Sequence, residues 1–370
     1  MPNTIAFFPW IYRDEPEIIG PLRLLPYKRG DLPGKLAHII QADIDGVLSA
    51  YAERPGHPIN RATILELGDW QAGMDMTRDT VSNLFRARDM VAFSALSQRT
   101  LFQRHTRYCN YDAYMLVVQR FHPGEAETFA FDTRRRDGHT SQLWSSDEFA
   151  FHKPNHVDAY TRMALDHPLL SVLLSLPDTH KAAFEALVEF NAANTDSPNV
   201  PEHVEVVMCK SAFEWLLNIN EKSEQFVKAL TSRLEGLNAY PCEGPIKARW
   251  EKKWPNSTRP LYAWAKDFCA VRGKSAHGKS RNTADFVWQP PQHLAFIAMF
   301  FPLLFKKVLA DDGLLTMDSY DLERLRRIEE YLVHDPFDFD WSVREASHPW
   351  LISDRQALIF ARAKIFYPNN

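Results

Sequence analysis

The stretch LYAWAKDFCAVRGKSAHGKSR, residues 261–281, decides how the second half of the chain is read. Leu261, Trp264, Phe268 and Val271 recur at three- and four-residue spacing, which makes one apolar face of a helix. Arg272 and His277 follow that face directly, with Gly278, Lys279 and Arg281 behind them. A guanidinium holds phosphate oxygens with a fixed fork of donors, and an imidazole exchanges a proton near neutral pH. On a straight helix five positions turn a side chain by about 140°, so convergence requires Gly273 or Gly278 to loosen or end the helix.

Spacing alone does not single this pair out. Five Arg–His pairs have four to six residues between them: Arg99/His105, Arg134/His139, Arg162/His167, Arg272/His277 and Arg327/His334. Arg134/His139 spans the Asp137-Gly138 turn signal, and Arg99/His105 falls in a β-rich region. Arg162/His167 reads as a helix end followed by Pro168. Arg327/His334 shares a helix with Glu323, Glu329 and Glu330, which suits a solvated, ion-paired face. Only Arg272/His277 follows an aromatic face and sits among further cations.

Working outward, residues 156–335 carry helical apolar spacing throughout. Expected helices begin after Asp178, cover 204–219 (apolar on most faces), 221–234 with Gly236 as C-cap, 261 onward, 291–309 and 318–334. A loop is expected over 241–260. Residues 1–155 read as β-rich, with short apolar runs at 7–11 and 22–25, strands at 62–67 and 114–121, and alternation at 128–132 before the Asp137-Gly138 turn signal and 142–144. One helix, 77–97, interrupts them. Residues 336–370 read as an aromatic tail with a final helix at 353–366. The fold class is α+β, a β-rich N-terminal domain followed by an all-α bundle.

With 370 residues, 45% apolar and 24% charged, the chain has ordinary globular composition and room for two domains. The formal charge of −4 is no global nucleic-acid signature, so a site for nucleic acid has to be a local patch. Cys109, Cys209, Cys242 and Cys269 make no metal-ligand spacing and read as reduced, mostly buried thiols. No signal peptide is evident. The run LAFIAMFFPLLF, residues 294–305, falls short of the ~20 residues needed to span a bilayer and contains Pro302. A soluble, cytoplasmic protein without metal or cofactor is expected.

The segment DFCAVRGKSAHGKS resembles the signature helix of the HEPN superfamily, whose ribonucleases carry an arginine, four to six residues, then a histidine. The His277-Gly278 close and the AFEWLL run at 212–217 are most similar to the Apea-like branch, and the resemblance covers roughly residues 178–334. It implies Arg272 and His277 as the catalytic pair, with Glu214 orienting the arginine. It also implies a homodimer in which two such pairs meet in one composite site. In this family the residue after the arginine is usually polar, whereas here it is Gly273. The implied activity is metal-independent cleavage of RNA, with tRNA loops among the candidate targets, in a toxin or antiphage role. The alternative is a catalytically silent HEPN fold that binds RNA or a partner protein.

Between residues 247 and 281, ten basic side chains stand against Glu251 and Asp267, a local excess of eight. Lys252, Lys253, Lys274, Lys279 and Arg281 are the expected RNA contacts, with Trp250 and Trp254 interleaved as possible stacking surfaces. The β-rich half is expected to sense a trigger ligand or protein, or to select the substrate.

Overall fold

The computed structural model describes residues 3–31, 41–54, 56–98, 110–122, 125–135, 138–145, 150–154, 157, 164–220, 222–237, 242–276, 285–337 and 348–366. The chain is α+β and divides into two compact units, the first ending at Ser175 and the second beginning its main run at Leu176.

The first unit carries strands β1 (Asn3–Phe8), β2 (Glu17–Ile19), β3 (Leu22–Lys28), β4 (Tyr51–Arg54), β5 (His57–Pro58), β6 (Arg61–Leu67), β7 (Val117–His122), β8 (Glu125–Arg135), β9 (Gly138–Ser145) and β10 (Phe151–His152). Seven of them form an antiparallel sheet in the order β2-β3-β6-β1-β7-β8-β9. A small second sheet, β10-β4-β5, has β10 parallel to β4. On β1, Ile5, Ala6, Phe7 and Phe8 are all buried, although neighbours on a strand point to opposite faces, so the sheet is covered on both sides there. Helix α1 (Gln41–Ser49) packs on β7 and β8, and α2 (Arg78–Ser97) packs on β6. The expected helix at 77–97 is present, with Thr77 Oγ1 accepting the Thr80 N–H at 3.1 Å as its N-cap. The nine-residue α1 was not expected. Its buried Ile44, Val47 and Leu48 make a single apolar turn, too short to stand out from strand pattern.

The units divide about twenty residues later than the change in apolar spacing near His156. Helix α3 (His167–Leu174) lies in the first unit because its N-cap is tied to α2. Asp166 Oδ1 accepts the Leu169 N–H at 3.1 Å, while Ser94 Oγ on α2 donates to the Asp166 carbonyl and accepts its N–H. His167 therefore opens a helix, rather than ending one, and pairs with Glu17 at 2.6 Å.

The second unit contains α4 (Lys181–Ala193), α5 (Glu202–Leu217), α6 (Ser223–Arg233), α7 (Lys247–Lys253), α8 (Pro260–Ala276), α9 (Pro290–Asp311), α10 (Ser319–Arg326), α11 (Ile328–Leu332) and α12 (Pro349–Phe366). Helix α5 packs on α4, α8 and α9. At their meeting point Phe213 is fully buried, with ring centroids of Phe226, Trp264, Phe268, Phe300 and Phe301 between 5.1 and 6.1 Å away. Helix α5 is not buried all round, as its apolar content suggested. Val204 and Trp215 face solvent, while Glu205 and Lys210 are buried. The loop expected at 241–260 contains α7, held to the end of α11 by the Ile246 N–H donating to the Val333 carbonyl. Gly244 lies so close to Val333 that a Cβ would stand 2.3 Å from that carbonyl oxygen. Helix α9 is long and apolar enough to cross a membrane, but 78% of its most apolar window is buried inside the protein.

The glutamate-rich face near Arg327 is not solvated. Glu323, Arg324, Arg327 and Glu329 are all buried where α10 and α11 pack against α12, α9 and α8. Arg324 pairs with Asp354 at 3.2 Å, and Arg327 pairs with Glu330 at 3.0 Å and bonds Gln356 at 2.6 Å. The described part of the C-terminal tail is thus a structural layer of the second unit.

Phe213→Ala removes the side chain shared by five aromatic neighbours. It is expected to cost roughly 3–5 kcal/mol of stability, read as an earlier midpoint in urea unfolding followed by tryptophan fluorescence.

Candidate functional site

The second unit's site is built on α8. Leu261, Trp264, Phe268 and Val271 are all buried, as their spacing requires, with Trp264 and Phe268 stacked at 5.2 Å. The same helix buries one carboxylate, Asp267, completely. Its Oδ1 receives the Lys253 ammonium at 2.6 Å and the Trp254 indole N–H at 3.2 Å. Its Oδ2 receives the backbone N–H groups of Val287 and Trp288 at 3.0 and 3.1 Å. His293 of α9, also fully buried, has Nε2 at 3.6 Å from that oxygen, beyond hydrogen-bond range. Burial opposes the Asp267 charge, but His293, the Lys253 ammonium and the Trp288 N–H outweigh it and hold the carboxyl below its ordinary 3.8. Burial pushes the His293 imidazole down from its ordinary 6.5, against the opposing pull of Asp267.

This anchoring fixes the last turns of α8. The helix runs straight through Gly273 to Ala276, so Gly273 does not loosen it. Among the described residues, a Cβ at Gly273 would meet nothing within 4 Å. Arg272 is half-buried on the penultimate turn. Its neighbourhood is registered by the Cys269 thiol, which burial pushes up to about 11, with Lys210, Glu214, Arg272 and Glu224 all close enough to act on it. Arg272 and Glu214 thus occupy one charged region, but the partner seen for Glu214 is Lys210, at 2.7 Å. Lys210 is itself almost wholly buried, with its ammonium 5.1 Å from the Phe226 ring centre. His277, Lys279 and Arg281 lie outside the described residues, as does Cys109; Cys209 is buried, while Cys242 and Cys269 are half-buried.

Most of the expected basic patch is engaged within the protein. Lys253 is spent on Asp267 and on the Asp285 carbonyl, a task that competes with the RNA contact expected of it. Arg249 donates to the Val287 carbonyl, Arg259 pairs with Glu329 at 2.9 Å, and Lys274 pairs with Asp285 at 2.8 Å. Trp250 is buried and offers no stacking surface, while the half-buried Trp254 donates its indole N–H to Asp267 and has the Lys253 ammonium 5.3 Å from its ring centre. Lys252 is exposed on α7.

Sequence reasoning did not find the cavity at the end of α8. It measures about 330 Å³ and is lined by Pro201, Glu202 and His203 of the α5 start, Val271, Lys274 and Ser275 of α8, Phe286, and Pro290 of α9. A lone histidine after Pro201-Glu202 carries no motif, and only the packing of α5 against α8 brings it to Lys274. Comparison with protein-family models, with curated proteins and with solved structures finds no match to the chain.

Asp267 gives a signed expectation for pH. A carboxyl held below 3.8 in the fold contributes stability that is full above that value and is lost as pH falls through the lower folded value. A histidine held below 6.5 makes the fold lose stability as pH falls below 6.5, because the unfolded chain takes up the proton first. Stability of the second unit is therefore expected to decline in two stages on acidification, with His293→Phe flattening the stage between pH 7 and 5. Asp267→Ala, which strands the Lys253 ammonium and two backbone N–H groups, is expected to cost roughly 3–5 kcal/mol in denaturant titration.

Proposed function

We propose that the helical unit is a metal-independent endoribonuclease of the HEPN type, with Arg272 and His277 as its working pair. The observation that carries this reading is the placement of Arg272: it is held on the final turns of a helix pinned by an aromatic core and a fully buried carboxylate, one position from the wall of a cavity. Such anchoring pre-organises a guanidinium for charge that develops during reaction. His277, just past the last residue of α8, takes the proton from a ribose 2′-OH as that oxygen attacks the adjacent phosphorus. Arg272 stabilises the charge on the pentacoordinate phosphate, and the leaving 5′-oxygen receives a proton from the His277 of a second copy in a composite dimer site. The products are a 2′,3′-cyclic phosphate and a 5′-hydroxyl. Only RNA supplies the attacking group. In a cell this activity would arrest growth, as in toxin and antiphage systems, with the β-rich unit receiving the trigger.

A second reading has its own observation. Glycine at 273, where the HEPN pattern usually has a polar side chain, favours a silent fold that binds RNA or a partner without cutting.

Purified protein incubated with total RNA in EDTA separates the two readings. Cleavage is expected from the wild type, with Arg272→Ala and His277→Ala each slower by roughly 100-fold or more at unchanged melting temperature. A 2′-deoxy substitution at the cut position is expected to block the reaction. Intact RNA with wild-type protein overturns the nuclease reading and leaves the binding module.

A further inference from the structure

We infer that the cavity at the end of α8 is a nucleobase pocket, which selects the nucleotide placed beside Arg272. At about 330 Å³ it stands at the small end of ligand sites, which begin near roughly 300 Å³, so it suits a single ring system better than a stretch of chain. Its walls are apolar, from Val271, Phe286, Pro201 and Pro290. Its polar groups, Glu202, His203, Lys274 and Ser275, offer both hydrogen-bond donors and acceptors, as the edge of a base requires.

Charge argues for the base over the phosphate. The Lys274 ammonium is already paired with Asp285 at 2.8 Å and stands 4.7 Å from the Phe286 ring centre. Glu202 adds a second carboxylate against the one ammonium, so the fixed charges around the cavity lean negative. A dianionic phosphate gains little there, whereas a neutral, flat, hydrogen-bonding ring gains apolar burial and edge contacts together. The phosphate's place is at Arg272, next in the chain to the wall residue Val271. His277 follows two residues after the wall residue Ser275. The pocket's role in choosing a cut site rests on the ribonuclease reading, but its capacity to hold a base does not.

The test uses the full-length protein with AMP, GMP, CMP and UMP, and ribose 5-phosphate as the ligand without a base, followed by calorimetric titration. At least one nucleotide is expected to bind about tenfold tighter than ribose 5-phosphate. Ser275→Trp, which fills the cavity from α8, is expected to erase that difference at an unchanged melting temperature. His203→Trp fills it from α5 and serves if the α8 variant does not fold. Equal binding of all five ligands overturns the inference, as does a filled-cavity variant that binds like wild type. Oligoribonucleotide cleavage supplies the other arm. If nucleotides bind and RNA stays intact, the pocket stands and the nuclease reading falls. If RNA is cut identically by wild type and both folded variants, with no base preference, the nuclease reading stands and the pocket falls.

Discussion

A carboxylate buried to zero exposure in the middle of α8 is the constraint around which the helical unit is arranged. An isolated buried charge is too costly to keep, so Asp267 has to be surrounded by donors. The donors come from α7, from Trp254 directly after it, and from the backbone that precedes α9. Satisfying one side chain thereby docks the neighbouring segments on α8. The same helix carries Arg272 and one wall of the cavity.

A second set of buried charges plays a comparable part farther along the chain. Lys306 of α9 meets Asp321 of α10, and Arg324 and Arg327 reach Asp354, Glu330 and Gln356 around α12. Arg259, at the start of α8, meets Glu329, whose carboxylate also accepts the Leu261 N–H. Replacing any one of these partners leaves a desolvated charge behind, so the network specifies how α10, α11 and α12 close on α8 and α9. Hydrophobic burial supplies the drive for collapse, and these pairs restrict it to one arrangement.

The two units differ in how legible they were. In the helical unit, the positions of α4, α5, α6, α8, α9 and α12 follow from apolar spacing, because each buries a stripe several turns long. The divided helix at Arg327, the short α7 and the short α1 escape such reading, since a helix of fewer than ten residues presents too few turns for a period to show. The helix beginning at Thr77 and the strand at 62–67 are legible from local chemistry, and the apolar run at 22–25 falls within β3. The boundary between units was not: α3 is apolar and helical like the chain after it, and only the Ser94–Asp166 bonds place it with the sheet.

For the site, residues 261–281 by themselves determined that a helix with an aromatic face would present Arg272 at its end, because periodicity and residue chemistry are local properties. Tertiary structure alone decided the rest. It turned Lys253 and Trp254 of the basic stretch into supports for Asp267, buried Trp250 and the charges near Arg327, and brought His203 to Lys274 across a cavity. Those outcomes depend on which surfaces meet and which charges lose their water, and no spacing along the chain encodes that.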